Sequence, residues 1–375
     1  MTFDIETSPF VFDGPAPPDD VVGREVEIAA LTDRAMHGRF VLLYAPRRYG
    51  KTSLIHRIRR DAHDSNDLAV VLVDFLGVQT IDDLSHRIGQ ALQSVPAGPF
   101  ASALRKLASR SPEISAQLGY GPASLQLKRG ELEAPHLLEE LLRLPYKVAD
   151  DLDCRALVVM DEFQAVADVA KAEAIIRSTI QHQRDRLSYL FAGSEQSILN
   201  TIFADRVAPL YGQAEQFRLG RLPDAALAEF IEEKFTVTGR DIGTALPHLL
   251  AASRGHPQRA AFLAHQVWQS TGQSGIADEH TWADAYAEVM ARSHHEFVAI
   301  ESGLETGQRK TARLLAWNEP PYGAAARRLG LPKGTAAKAL IALERRSLAW
   351  RPFGEDLELV DPLFAAWIRE RDPTP

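Results

Sequence analysis

The stretch Ala45-Pro46-Arg47-Arg48-Tyr49-Gly50-Lys51-Thr52 has the residue types and spacing to hold a phosphate. It meets the pattern G-x-x-x-x-G-K-[ST] at every fixed position but the first, where Ala45 stands for glycine. In such a loop, successive backbone N–H groups and a helix N-terminus converge on an anion. Pro46, Arg47, Arg48, Tyr49, Gly50, Lys51, Thr52 and Ser53 would line a nucleotide. Lys51 would reach the terminal phosphates of ATP, Thr52 would offer its hydroxyl to Mg²⁺, and Gly50 would leave room where a side chain would strike. Alanine is the smallest replacement for the missing glycine, and it is tolerated where φ is negative. A second set lies in Ala156–Phe163, "ALVVMDEF", where an apolar run ends in Asp161-Glu162. Asp161 would hold Mg²⁺ and Glu162 would take a proton from an attacking water; the plainer reading is an acidic strand end. A third is Ser194 in "YLFAGSEQS", either a hydrogen-bond partner of the γ-phosphate or a helix N-cap.

These residues need strands before them and helices behind them. Apolar runs predict strands at Phe40–Ala45, Ala69–Phe75, Ala156–Met160, Ser188–Ala192 and Gln216–Leu219, alternating with helical patterns such as "TSLIHRIRRDAH". That alternation predicts a parallel sheet with helices on both faces. A mostly helix-compatible insert spans 77–150, with disorder expected around 110–130. Residues 1–20, ending in "DGPAPPDD", read as a tail or linker. The core is expected over 21–220, an all-helical section over 221–297, and a last module over 298–375. In that module "YGAAARRLGLPKGTAAKALIALERRSLAWRP" reads as helix, turn and helix, and "LAWRPFGEDLELVDPLF" as strand, Gly-Glu-Asp turn, strand, which together make a helix-turn-helix with a wing.

Composition removes some classes. Apolar content of 45 % and charged content of 25 % suit a soluble globular protein with a sizeable core. A net charge of -8 means that any nucleic-acid contact needs a local basic face. Residues 300–375 hold 12 basic and 10 acidic residues, a local excess of two positive charges. Arg327, Arg328, Lys333, Lys338, Arg345 and Arg346 are the candidates for duplex DNA; packing against the core is the competing role of this module. Cys154 has no second cysteine to pair with and reads as a buried small hydrophobe in a reducing compartment. The N-terminus lacks an apolar signal core, and no run reaches the ~20 apolar residues of a membrane span, so a cytoplasmic protein is expected. His294-His295-Glu296 reads as solvated surface, without further ligands for a metal.

Taken together, "VVGREVEIAAL", "YAPRRYGKTSL", "LVVMDEFQAV", "FAGSEQSIL", "PLYGQA", "SRGHPQRAAFLA" and "VDPLFAAWIRER" resemble the archaeal-type ATPases of the AAA+/STAND group of P-loop proteins. The resemblance runs from about Val21 to Arg371. It implies an α/β P-loop NTPase core of the ASCE type with strand order 5-1-4-3-2, an all-α lid and a C-terminal winged helix. It places Val22, Gly23 and Arg24 near the adenine, against the plainer reading of a turn with a solvated Arg24. It brings His256 and Pro257 of "GHP" toward the nucleotide and makes Arg259 a sensor of the γ-phosphate; a Gly stop followed by Pro at a helix start explains the same letters locally. Gln213 stands where many relatives carry an arginine, which removes one candidate arginine finger and leaves Arg206, whose plainer reading is a solvated surface side chain.

Two readings of function stay open at this level. One is an Mg²⁺-dependent ATPase, partner-stimulated, that couples nucleotide state to the winged helix, with a DNA link. The other is a slow or non-hydrolysing nucleotide switch acting as a DNA-binding or protein-scaffold module in signalling or defence, with a protein partner or a second copy of the chain.

Overall fold

The computed structural model describes residues 7–65, 67–111, 114–115, 133–352 and 356–375. The chain divides into two units, each continuous in space but not in sequence. One comprises Val26–Ala45 and Leu54–Leu219; the other comprises Met1–Glu25, Pro46–Ser53 and Gly220–Pro375.

The first unit is built on five strands, β1 (Val41–Tyr44), β2 (Ala69–Asp74), β3 (Ala156–Asp161), β4 (Leu187–Gly193) and β5 (Glu215–Arg218). They are parallel and ordered β2-β3-β4-β1-β5, which is the predicted 5-1-4-3-2. β3 and β4 are buried along their whole length, as apolar runs inside a sheet covered on both faces should be. β5 is a polar edge strand, paired with β1. Register sets the strand ends level: Tyr44 pairs with Gly193, and Met160 with Phe191. Helices α1 (Glu25–Met36), α2 (Lys51–Ser65), α3 (Ile81–Gln93), α4 (Pro99–Ala108), α5 (Ala134–Asp151), α6 (Ala172–Ile180) and α7 (Gln196–Ala204) follow in chain order. The division between units falls inside α2, after Ser53. The described part of the 77–150 insert is helical, as expected. α3 starts on a capping box in which Thr80 accepts from the Asp83 N–H and Asp83 bonds back to the Thr80 N–H. The disorder expected around 110–130 falls mostly outside the described residues. Cys154 is half-buried rather than buried, beside the start of β3, and that burial raises its thiol pKa.

The second unit carries helices α8 (Asp224–Val237), α9 (Ala245–Ser253), α10 (Pro257–Ser270) and α11 (Glu279–Ser302). The winged-helix order comes next: α12 (Thr306–Ala316), α13 (Ala324–Arg328), α14 (Lys333–Arg345), the antiparallel pair β6 (Ala349–Trp350) and β7 (Glu358–Leu359), and α15 (Pro362–Arg371). Gly354 and Glu355 of the expected turn lie outside the described residues. A single hydrophobic core joins Phe235, Leu263 and Val267 of the lid helices to Phe297, Leu363 and Phe364, so the last module does not stand on a core of its own. A smaller cluster, Leu314, Ala325, Ala326, Leu331 and Ala336, sits under the helix-turn-helix. The boundary expected at 297/298 falls within α11, which continues to Ser302. Residues 7–20, expected as a tail or linker, reach this core through Phe10 and Phe12. Phe10 is buried against Phe230 and Phe235, Phe12 stacks on Phe262 at 4.7 Å, and Lys234 pairs with Asp20 at 2.6 Å.

Candidate nucleotide site

Lys51 opens α2 and is buried, as is Ser53, whose hydroxyl accepts from the Ala16 N–H at 3.0 Å. Arg48 and Gly50 both take left-handed backbone, with φ of 68° and 82°. A Cβ at Gly50 would point into open space. Ala45 is buried and, unlike those two, is not among the residues with positive φ, so its side chain costs the loop nothing at the glycine position. Arg47 is exposed, and Arg48 pairs with Glu296 at 3.0 Å.

Tyr49, expected to line the nucleotide, is placed otherwise. It is fully buried, edge-on to His256 at 4.8 Å and to Trp350 at 4.9 Å, and its hydroxyl donates to the Val360 carbonyl at 3.3 Å. Burial, opposed by Arg221, raises the pKa of its phenol. Arg24 is buried rather than solvated. It donates to the carbonyls of Tyr49 at 3.4 Å and Gly220 at 2.6 Å, so it braces the loop through its backbone. Gly23 turns the chain before it at φ 63°, and a Cβ there would meet Ala226 at 2.9 Å; Val22 beside it is half-buried.

"GHP" has the local structure its letters predict. α9 ends in left-handed Arg254 and Gly255, His256 caps α10 by accepting from the Arg259 N–H at 3.3 Å, and Pro257 takes the first helical position. A Cβ on Gly255 would lie 2.5 Å from the Leu222 carbonyl. His256 is buried and its pKa is pushed down to about 3 by desolvation, with Asp361 opposing and Arg259 and Arg221 adding to it. The Arg259 guanidinium is bonded to Asp361 and, at 3.3 Å, to Glu296. Burial raises the Asp361 carboxyl, but Arg259 outweighs it and holds the pKa below the usual carboxylate value. Asp361 also caps α15, accepting from the Leu363 and Phe364 N–H groups. A second acidic residue of this segment, Glu358, is gripped by Arg221 and, at 3.1 Å, by Arg254.

In the sheet unit, Asp161 is the last residue of β3 and is buried, and its Oδ1 accepts from the Glu162 N–H at 2.9 Å. Glu162 adopts left-handed backbone, φ 51°, and Phe163 behind it is buried against Phe191 at 4.7 Å and Phe203 at 5.6 Å. The Gln164 side-chain amide donates to Glu162 Oε2. Ser194 follows the last residue of β4, the strand between β3 and β1, and is buried. It is not the cap of α7: that position belongs to Glu195, which makes no side-chain cap. His56 on α2 is shifted down by burial first and Arg59 second, with Asp161 pulling the other way.

The DNA candidates Arg327, Arg328, Lys333, Lys338, Arg345 and Arg346 are all exposed. Arg346 donates to the Gly303 carbonyl at 2.6 Å. His294 and His295 are exposed, and His294 shares a 3.3 Å bond with the Trp367 indole. Among the described residues no group of three or more His, Cys, Asp or Glu side chains could hold a metal, and no helix is long and apolar enough to cross a membrane. Sequence reasoning missed Glu296, Asp361 and Gln164 as partners. Asp361 was legible only as the Asp-Pro start of a helix, and Gln164 only by standing two residues after Glu162.

The loop fits a nucleotide: two left-handed positions lead into a helix start, with open space at Gly50. Thr52, the residue after Lys51, offers a hydroxyl oxygen, the kind of donor Mg²⁺ prefers. Residues 33–202 match the family described as AAA domain, and the likeness of the chain to archaeal-type AAA+ ATPases is borne out. Among solved structures it is similar to a Walker-type ATPase of Pyrococcus abyssi, with 16% identity over 96% of this chain and 99% of that one and a TM-score of 0.70. It is also similar to the ORC2 protein of Aeropyrum pernix, solved as ADPNP-ADP complexes, with 17% identity over 98% and 99% and a TM-score of 0.59. At these identities the likeness is one of fold. No curated protein matches the sequence significantly.

Proposed function

We propose that this protein is a cytoplasmic, Mg²⁺-dependent ATPase that uses its nucleotide state to move the C-terminal winged helix. The observation that carries this reading is Tyr49. A residue inside the phosphate loop is buried against Trp350 of the wing and bonded to the Val360 carbonyl. A loop that tightens on phosphate must pull on that contact, and a winged helix that leaves must release the loop.

The roles follow from chemistry. Lys51 and the loop amides bind the β- and γ-phosphates, and Thr52 and Asp161 hold Mg²⁺, which supplies charge neutralisation at the phosphates when bound. Glu162 accepts the proton of a water whose oxygen bonds to the γ-phosphorus as the bond to the ADP oxygen breaks. Ser194 hydrogen-bonds the γ-phosphate. Arg259 senses that phosphate in a state in which Asp361 has let it go. Val22, Gly23 and Arg24 shape the base end of the site, and Arg24 does so through the loop's backbone. The exposed basic residues of α13 and α14 make duplex DNA the partner to test first.

The test is steady-state ATP turnover with Mg²⁺, for wild type and Glu162→Gln, with and without duplex DNA. Turnover by wild type, ATP binding without turnover by the variant, and stimulation by DNA are expected. Loss of the general base should cost about 10²–10⁴ in kcat. ATP binding by wild type with no turnover in either condition would replace this reading with the slow nucleotide switch.

A further inference from the structure

Gln164 makes one side-chain hydrogen bond and leaves one polar atom without a partner, both in a buried place. Its amide nitrogen donates to Glu162 Oε2. Its amide oxygen is buried and has no hydrogen-bond partner among the described residues. The residue as a whole is 8% exposed. A buried polar atom left unpaired costs about 1–3 kcal/mol, and a glutamine there for packing alone would be better replaced by leucine or methionine.

The space around the amide is defined. Gln164 Oε1 lies against Gly193, the last residue of β4, where a Cβ would overlap that oxygen and come within 3.0 Å of Leu199. Gly193 has no positive φ, so glycine is required there for room and not for backbone freedom. Phe163, between Glu162 and Gln164, is clamped by Phe75, Phe191 and Phe203, which fixes the short 3-10 turn that starts there. The chain therefore holds the Gln164 amide rigidly between the carboxylate of Glu162 and the end of the strand that leads to Ser194.

We propose that Gln164 is a positioning residue for Glu162, orienting its carboxylate to accept the water proton, and that Gly193 is glycine so that the Gln164 amide fits. This rests on the reading of Glu162 as the general base. Gln164 never exchanges a proton; it fixes the carboxylate by donating to Glu162 Oε2.

The experiment compares ATP turnover, ATP affinity and thermal midpoint for wild type, Glu162→Gln, Gln164→Leu, Gly193→Ala and the double variant Glu162→Gln/Gln164→Leu. Gln164→Leu should lower kcat by about 10- to 100-fold, a part of the general-base contribution, and leave KM and ATP affinity within about twofold. Gly193→Ala should act in the same direction. In the Glu162→Gln background the leucine substitution should change residual turnover by less than about twofold, because residues acting as a unit are not additive. An equal loss in both backgrounds, or a loss carried by KM, would make Gln164 structural and overturn the proposal. Wild-type kcat in both Gln164→Leu and Gly193→Ala, with Glu162→Gln inactive, would overturn it and leave Glu162 as the base. Wild-type turnover in Glu162→Gln, or none in the wild type, would remove the base and this proposal together. If Gln164→Leu fails to fold, the kcat of Gly193→Ala decides alone.

Discussion

Asp161, Glu162 and Ser194 are held by one kind of force, and the phosphate loop by another. The three acidic and hydroxyl residues stand at or just beyond the ends of β3 and β4, strands buried throughout and locked in a parallel ladder whose register keeps their ends level. A ladder placement is rigid, because moving one strand end breaks a row of backbone hydrogen bonds. The loop from Pro46 to Gly50 is instead held by side chains: Tyr49 between His256 and Trp350, Arg24 on the Tyr49 carbonyl, and Arg48 on Glu296. His256 and Glu296 belong to the lid helices and Trp350 to the wing, while Arg24 lies just before α1. Asp161, Glu162 and Ser194 are therefore attached to a stiff support, and the loop that leads into Lys51 to an adjustable one.

Tyr49 is where the two supports differ most. Tyr49→Ala removes a fully buried aromatic side chain and should destabilise the unit that contains the lid and winged helix by about 3–5 kcal/mol. Denaturant unfolding followed by a tryptophan signal should show this, since all five tryptophans lie in that unit. A tyrosine-based signal from the sheet unit should move by less than about 0.5 kcal/mol. Equal loss in both transitions would sink the distinction.

Asp361→Ala should cost the same unit about 2–3 kcal/mol. That is below the 3–5 of a fully buried pair, because Asp361 keeps 21% of its side chain exposed while Arg259 keeps 2%. The measurement is the same unfolding curve, and an unchanged midpoint would show that Glu296 alone satisfies Arg259.

The support of the loop also depends on pH. His256 is neutral in the folded chain, with a pKa near 3 against 6.5 for the free side chain. Between these values the unfolded state binds more protons, so stability is greatest above pH 6.5 and falls as pH drops toward 3. By pH 5 the loss should reach about 2 kcal/mol. His256→Asn keeps a helix cap and removes the titration, so the slope between pH 7 and pH 5 should flatten; a slope identical to wild type would point to other groups.

The smallest effect is expected for Tyr49→Phe. It deletes the hydrogen bond to the Val360 carbonyl but keeps the ring contacts, and should cost about 1 kcal/mol. The affinity for ATP, measured by titration calorimetry, should change in Tyr49→Phe if the wing and the loop are coupled through this bond, and should match wild type if the ring alone does the coupling.

Much of the fold was legible because it is written locally. All five strands lie within a residue of the segments that predict them, and for β1 to β4 the reason is that a buried parallel strand is an apolar stretch. The "GHP" letters predict a helix stop and start by local rules alone. What could not be read is what joins distant segments. Nothing near Tyr49 in sequence indicates Trp350 or Val360, and nothing near Arg259 indicates Asp361. Phe10 and Phe12 sit among Pro, Gly and Asp, a composition that predicts a loose tail, yet they complete a core made by residues more than 200 positions later. Arg24 looks like a solvated charge until its two carbonyl acceptors are seen. These contacts follow from tertiary packing, which periodicity does not encode.

Synthesis on the ribosome meets the two units in a fixed order. Every residue of the sheet unit has been made once Leu219 has been added, so that unit can close while translation continues. The phosphate loop has also been made by then, but Trp350 and Val360 have not. At about 5–20 residues per second, the loop waits on the order of ten seconds before Tyr49 has its neighbours. A nascent chain therefore carries Glu162 on a finished sheet well before the packing around Tyr49 is set, and a ribosome stalled between the two points would expose a folded sheet joined to a loop still without its packing.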